Sequence, residues 1–229
     1  MESKIMSQMF NKIYEQSINN PENFWKQASE DVFWFKKPNK ILNKSNPPFY
    51  KWYEDGVTNT CYNALDFHID QGKGEKTALI YDSPITGNKS KFTYKELKSK
   101  VSKFAGALKD QGVYKGDRVI IYMPMIPEAV IAMLACARIG AIHSVVFGGF
   151  ASNELASRID DSKAKLLVTA SCGFEPGRTV EYKPLVDEAI KQAQHKISKM
   201  ILFQRKGHEV KLNAPIEISW DEAQSNAKN

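Results

Sequence analysis

Cysteine is scarce. The chain of 229 residues has three, Cys61, Cys136 and Cys172. Their odd number and wide spacing exclude a disulfide framework and a zinc knuckle, and fit a reducing compartment. The four histidines, His68, His143, His195 and His208, lie scattered without an HExxH or HxH spacing. Neither GxGxxG nor GxxxxGK[ST] occurs, so the dinucleotide and Walker-type readings lack their signature. The most apolar region, Val119 to Phe147, is broken by Pro124, Pro127 and Arg138, which excludes a membrane span. The start, MESKIMSQMFNKIYEQ, lacks the charged-then-apolar layout of a signal peptide. Arginine-rich blocks are also missing. The net charge of +6 comes from lysines spread along the chain, a solvated surface rather than a nucleic-acid footprint.

What is present is ordinary for a globular protein, with 42% hydrophobic and 25% charged residues. At this length the chain can bury a sizeable core; it is long for one compact domain and short for two. Residues 1 to about 56 stand apart. They are crowded with Phe24, Trp25, Phe33, Trp34, Phe35, Phe49, Tyr50, Trp52 and Tyr53, and their periodicity is poor. The expectation is an irregular aromatic-rich extension with one short helix near Pro21–Ala28, its rings packed on a larger body.

Beyond it the pattern becomes regular. TALIYD (77–82) alternates, SPITGNKS supplies turn residues, and KFTY resumes the extended pattern, which predicts a hairpin. Thr93 with Glu96 makes a capping box. Leu97, Val101, Phe104, Ala105 and Leu108 then repeat at helical spacing, and Gly112 closes the helix. Strands are predicted at 118–124, 141–147, 165–171 and 199–204. Helices are predicted at 128–140 with Pro127 at their start, at 152–161 with Ser152 as cap, and at 180–194. A last extended piece with a short helix follows, and then the polar tail SNAKN. The alternation predicts an α/β fold, a parallel sheet flanked by helices, with the apolar strands buried on both faces.

Two glycine-bearing turns are the candidate sites. FGGF (147–150) stands between a strand and a helix. Two glycines there permit positive φ and close approach, and a helix N-terminus favours an anion; a plain tight turn explains the pattern equally well. FEPGR (174–178) has the same expected topology of strand, loop and helix start, and strand ends of this kind collect ligands. Arg178 has the fork to grip a phosphate, although a helix end or a carboxylate would use it too. Asp160 and Asp161 diverge by about 100° on a helix and make a poor acid–base pair. Arg158 reads as a surface partner of Asp161. Cys172 reads as a buried, inert thiol.

The stretch FGGFASNELASRIDDSKAKLLVTASCGFEPGRTVEYKPLVDEA, with RVIIYMPMIPEAVIAMLACARIGAIHSVVFGGF before it and TNTCYNALDFHI (58–69) further upstream, resembles the short-chain acyl-CoA synthetases of the adenylate-forming superfamily. The likeness runs from about Tyr14 to Trp220 and is nearest the propionate type. It implies an N-terminal extension over 1–75 and the first α/β part of the AMP-binding domain over 76–229. It implies an enzyme that uses ATP, CoA, Mg²⁺ and a short-chain carboxylate, acts in the cytoplasm or the mitochondrial matrix, and needs neither nucleic acid nor membrane. By the resemblance, Gly149, Glu175, Pro176, Gly177 and Arg178 belong to the CoA site.

Acetate-type members often carry an arginine where this chain has Glu175. That carboxylate is expected to face ribose or adenine donors rather than phosphate. The family's phosphate loop, ribose-binding aspartate and catalytic lysine are expected beyond residue 229, in a missing C-terminal part. The resemblance therefore assigns no catalytic or metal-binding residue here and implies a chain inactive by itself. Two rivals are a non-catalytic module that pairs with a partner half and an unrelated doubly wound nucleotide binder.

Overall fold

The computed structural model describes residues 2–225 and Ala227, with side chains described from Gln8 onward; Asn226, Lys228 and Asn229 of the polar tail lie outside the described residues. The chain divides into two compact units, Met1–Asn59 and Thr60–Asn229.

The first unit opens with α1 (Glu2–Asn19), an 18-residue helix where an irregular segment was expected. Met9, Phe10, Ile13 and Ile18 do recur at helical spacing, but they stay exposed, so the amphipathic signal is diluted by polar neighbours. α2 (Pro21–Ala28) forms where expected. Asn20 caps it by accepting the Asn23 N–H, and Pro21 sits at its start. A 3₁₀ turn (Ser29–Asp31) and a short antiparallel pair, β1 (Leu42–Asn43) with β2 (Lys51–Trp52), complete the unit. The rings hold one another. Trp25 meets Trp52 edge-on at 5.9 Å, and Trp34 lies 5.4 Å from Tyr53. Their polar ends are satisfied: Trp34 Nε1 donates to the Ser29 carbonyl and the Tyr53 hydroxyl to the Trp25 carbonyl, both at 2.8 Å.

The second unit begins with π-helical turns (Tyr62–Asp66 and Ile69–Lys73), followed by the hairpin β3 (Thr77–Asp82) and β4 (Lys89–Thr93). α3 (Tyr94–Asp110) carries the predicted capping box, Thr93 and Glu96 bonding each other's backbone reciprocally. Then come β5 (Arg118–Met123), α4 (Pro127–Ile139), β6 (Ile142–Phe147), α5 (Ser152–Ser162), β7 (Leu166–Ala170), a small hairpin of β8 (Cys172–Glu175) and β9 (Arg178–Glu181), α6 (Tyr182–Gln192), β10 (Lys199–Phe203), β11 (Glu217–Ser219) and α7 (Trp220–Ser225). The main sheet has the order β11-β10-β7-β5-β6 with parallel pairing throughout. Helices cross over between β5 and β6, β6 and β7, and β7 and β10, whereas the link from β10 to β11 carries none.

β5, β7 and β10 are buried along nearly their whole length, and the core gathers on them. Val101, Phe104 and Leu108 come from α3, Leu155 and Ile159 from α5, and Val186 from α6. Each such fully buried aliphatic or aromatic side chain stabilises the fold by about 1.5–3 kcal/mol. β6 departs from the expectation of burial on both faces. It is the sheet edge, and Ile142, Val145 and Phe147 are more than half exposed. Other details are also corrected. Ser152 does not cap α5; Ala151 holds that position and offers no side-chain acceptor. The helix expected at 180–194 begins at Tyr182, because Val180 and Glu181 pair into the hairpin. Arg158 and Asp161 form no ion pair among the described residues. Asp160 instead accepts the His195 and Gln194 N–H groups, which ties α5 to the segment after α6.

Candidate functional site

The site grows from the carboxyl ends of β5 and β6. β5 ends in Tyr122 and Met123, both buried, and β6 runs into the turn Gly148–Phe150 ahead of α5. The Tyr122 hydroxyl accepts the Gly149 N–H at 3.1 Å and donates to the Phe150 carbonyl at 2.8 Å. One buried side chain thereby fixes both ends of the turn. Gly149 has φ +99, a region that favours glycine. A Cβ there would meet little besides Glu175 Oε1, at 3.7 Å. The turn is open at Gly149 and closed at Gly148, where a Cβ would strike the Tyr182 hydroxyl and lie 2.8 Å from the Met123 carbonyl oxygen.

FEPGR does not lead from a strand into a helix, as the sequence reading expects. It is the tip of the β8–β9 hairpin, Glu175 opposite Arg178 with Pro176 and Gly177 at the turn. Gly177 has φ +76. Proline fixes one φ of the bend and glycine supplies the positive one, and the pairing of Glu175 with Arg178 makes this two-residue link a hairpin. Arg178 Nε and Nη2 both reach Glu175 Oε2 at 2.7 Å. Glu175 Oε1 is left on the side of Gly149. An exposed pair of this kind adds about 0–1 kcal/mol of stability; its effect here is to hold the guanidinium over the hairpin tip and to offset its charge. The structure thus brings Gly149, Glu175 and Arg178 together, with Pro176 and Gly177 as the bend between the last two.

Sequence reasoning passed over the tyrosines that build this corner. The rings of Tyr122 and Tyr182 pack at a 45° tilt with centroids 5.0 Å apart. A Cβ on Gly173 would strike the Tyr182 hydroxyl just as one on Gly148 would, so that hydroxyl wedges between the turn and β8. Burial first, then the neighbouring Tyr122 and the charge of Glu175, pushes Tyr182 up to about 12. Burial also raises Tyr122, against the hydrogen bond from Gly149. Both therefore stand as neutral hydroxyls at physiological pH. The available signal was the tyrosine inside the apolar run RVIIYM and the one that opens YKPL. Cys172 is buried, and burial raises its thiol, which agrees with an inert role.

A cleft of about 490 Å³ adjoins the corner, lined by Tyr81, Ile85, Met123, Val145, Phe147, Gly148, Phe174, Glu175, Tyr182 and Arg205 among others. A shallower cleft of about 510 Å³ lies wholly in the first unit, around Asn20, Lys26 and Asn39, and holds none of the candidate residues. No helix among the described residues is long and apolar enough to cross a membrane.

The chain matches the family model described as AMP-binding enzyme over residues 67–228, and that described as acetyl-coenzyme A synthetase N-terminus over residues 10–64. Acyl-CoA synthetase short-chain family member 3, mitochondrial, of Homo sapiens is 53% identical over 214 residues, which are 93% of this chain and 31% of that protein. The acetyl-coenzyme A synthetase of Streptomyces avermitilis is 44% identical over 209 residues, 91% of this chain and 32% of the relative. Among solved structures, acetoacetyl-CoA synthetase from Streptomyces lividans superimposes with a TM-score of 0.81 at 23% identity, covering 94% of this chain and 32% of that one, a likeness of fold. The chain spans about a third of the length of the curated relatives it matches.

Proposed function

The chain belongs to the AMP-binding enzyme family, and from that premise we propose that it forms the N-terminal α/β part of a short-chain acid–thiol ligase and supplies part of its CoA site. In the proposed reaction a short-chain carboxylate attacks the α-phosphate of ATP and pyrophosphate leaves. The CoA thiol then attacks the acyl carbon and expels AMP, and Mg²⁺ disperses phosphate charge. Residues 1–75 are the extension in this reading and 76–229 the first part of the catalytic domain. A propionate-type acid is the one that the sequence resemblance implies, and the chain is less similar to the acetyl-coenzyme A synthetase, at 44%, than to the human short-chain family member 3, at 53%.

The observation that carries the reading is that Glu175 Oε1 stands 3.7 Å from where a Cβ on Gly149 would lie. A turn and a hairpin tip from separate parts of the chain share one exposed corner, with Arg178 across it. The residues fit the nucleotide end of CoA. Gly149 admits close approach, Arg178 offers donors to phosphate, and Glu175 offers a carboxylate to ribose hydroxyls or the adenine amine. No residue of this chain is assigned to adenylate formation, and the chain by itself is proposed not to carry it out.

The test is calorimetric titration of CoA into the 229-residue chain, with pyrophosphate release from ATP and propionate measured in parallel. Arg178→Ala is expected to weaken CoA binding by about tenfold. Unchanged affinity would reject the CoA assignment, and clear pyrophosphate turnover would reject the inactivity of the chain alone. A second reading, a module that works only when paired with a further polypeptide, is favoured by the exposed apolar edge of β6. Its mark would be self-association in sedimentation velocity that Val145→Lys abolishes.

A further inference from the structure

We propose that the β1–β2 hairpin of the first unit docks the chain on an anionic phospholipid surface, with Phe49 and Tyr50 entering the headgroup region and Lys44 and Lys51 drawn to the lipid charges. Every residue from Lys44 to Trp52 is exposed, so the loop stands out into solvent. Phe49 is 75% exposed and Tyr50 51%, and Trp52, at 43%, meets Trp25 edge-on beside them. Large rings held this far into water at one hairpin tip favour a partner that covers them. Tyrosine and tryptophan suit a boundary that is apolar on one side and wet on the other. The backbone of the tip suits a place with little water. Pro47 and Pro48 carry no N–H. The Tyr50 N–H donates to the Pro48 carbonyl at 3.0 Å, and the Ser45 N–H to Asn43 Oδ1 at 3.0 Å. These four residues bring no free backbone donor into the interface.

The charges of the hairpin set the sign of the partner. From Val32 to Tyr53 the sequence holds five lysines, Lys36, Lys37, Lys40, Lys44 and Lys51, and no acidic residue. Of these, only Lys40 forms an ion pair among the described residues, with Glu54 at 3.2 Å. Glu54 also accepts from Asn43 Nδ2, and Asp55 accepts the Asn39 and Lys40 N–H groups, so the acids that follow are occupied. The hairpin thus presents lysine charge next to apolar rings, the combination that an anionic bilayer attracts without any crossing helix. A nucleic-acid strand fits less well. The first unit, Met1–Asn59, has no arginine to fork onto phosphates or base edges. Trp25 and Trp52 meet at 72° and so offer no parallel platforms for bases. The proposal goes beyond the CoA reading and uses no residue of that corner. It concerns where the chain rests and not the reaction, for which the family resemblance implies no membrane.

The experiment is flotation of the 229-residue chain with phosphatidylcholine vesicles, with and without about one-third phosphatidylserine, at low and high salt, and with oligothymidine as competitor. Binding to the phosphatidylserine vesicles is expected to exceed that to phosphatidylcholine alone by about tenfold or more and to fall on added salt. Lys44→Gln combined with Lys51→Gln is expected to lose about tenfold or more, and Phe49→Ser about fivefold. Lys103→Gln combined with Lys109→Gln removes the same charge from exposed positions of α3 and should change binding by less than about twofold. All the substituted positions are exposed, so the variants are expected to keep the fold, as read by circular dichroism. Equal binding to the two kinds of vesicle, no binding, full binding by either hairpin variant, an equal loss from the α3 pair, or preference for oligothymidine over the vesicles would each overturn the proposal. The comparison of vesicles on the unaltered chain decides it even where a variant does not fold.

Discussion

The hydroxyl of Tyr122 and the backbone of Gly149 are joined by a 3.1 Å hydrogen bond, although 27 residues separate them. Through it, a side chain buried at the end of the central strand sets the conformation of an exposed turn. Removing that hydroxyl with Tyr122→Phe deprives Gly149 of its acceptor and the Phe150 carbonyl of its donor. The expected cost is about 1–2 kcal/mol, seen as a lower melting temperature. A more specific sign is faster hydrogen exchange at the Gly149 amide with little change in the central strands. Unchanged protection at Gly149 would show that the turn holds itself.

Gly148 and Gly173 share one obstacle, the Tyr182 hydroxyl, but they differ in what else surrounds them. Gly148→Ala would also press on the Met123 carbonyl oxygen at 2.8 Å, whereas Gly173→Ala meets atoms of Tyr182 alone among its nearest neighbours. Each alanine is expected to destabilise the chain by about 1–3 kcal/mol. Adding Tyr182→Phe should recover part of the loss for Gly173→Ala and little of it for Gly148→Ala. A double-mutant cycle by urea denaturation measures the difference, and equal recovery at both positions would contradict the geometry.

Asp66 lies between Lys98 Nζ at 2.9 Å and Arg138 Nη2 at 2.6 Å. Burial raises its carboxyl, but the hydrogen bonds and charges of Arg138 and Lys98 outweigh that and hold it below the usual range. A depressed folded pKa means that the stabilisation is present above the unfolded value of about 3.9 and is lost as pH falls through the folded value. Asp66→Asn should therefore cost about 1–3 kcal/mol near neutral pH. The gap from the unaltered chain should close at acid pH below the ordinary aspartate range, as followed by denaturation at a series of pH values. A gap constant with pH would mean that packing, and not charge, is lost.

Glu175 offsets the charge of Arg178 through the 2.7 Å contact. Under the CoA reading, in which Glu175 accepts from ribose hydroxyls or the adenine amine, Glu175→Gln weakens that contact while it frees the charge of Arg178. The expected net result is CoA affinity lower by about two- to threefold. Calorimetry at two ionic strengths is the measurement. A rise in affinity that added salt removes would mean that Glu175 serves only to offset Arg178.

The regular elements were legible in the residues because local chemistry alone sets them. Thr93 and Glu96 cap α3, Pro127 opens α4, and the apolar runs of β5, β7 and β10 mark strands covered on both faces. α1 was not legible as a helix, since its apolar residues recur among polar ones without being buried. The hairpin at Glu175–Arg178 was misread as the lead into a helix. Proline followed by glycine marks a bend, and only the pairing of Phe174 with Thr179 on either side makes that bend a hairpin.

The order of charges, glycines and apolar runs along the chain determined the α/β class and the two turns at which a ligand was expected, because those signals act over a few residues. Which turn faces which residue was decided by tertiary structure. Gly149 meets Glu175 since β6 and the β8–β9 hairpin emerge beside the same end of one sheet. The exposure of β6 likewise follows from strand order, which depends on contacts between residues far apart in the chain.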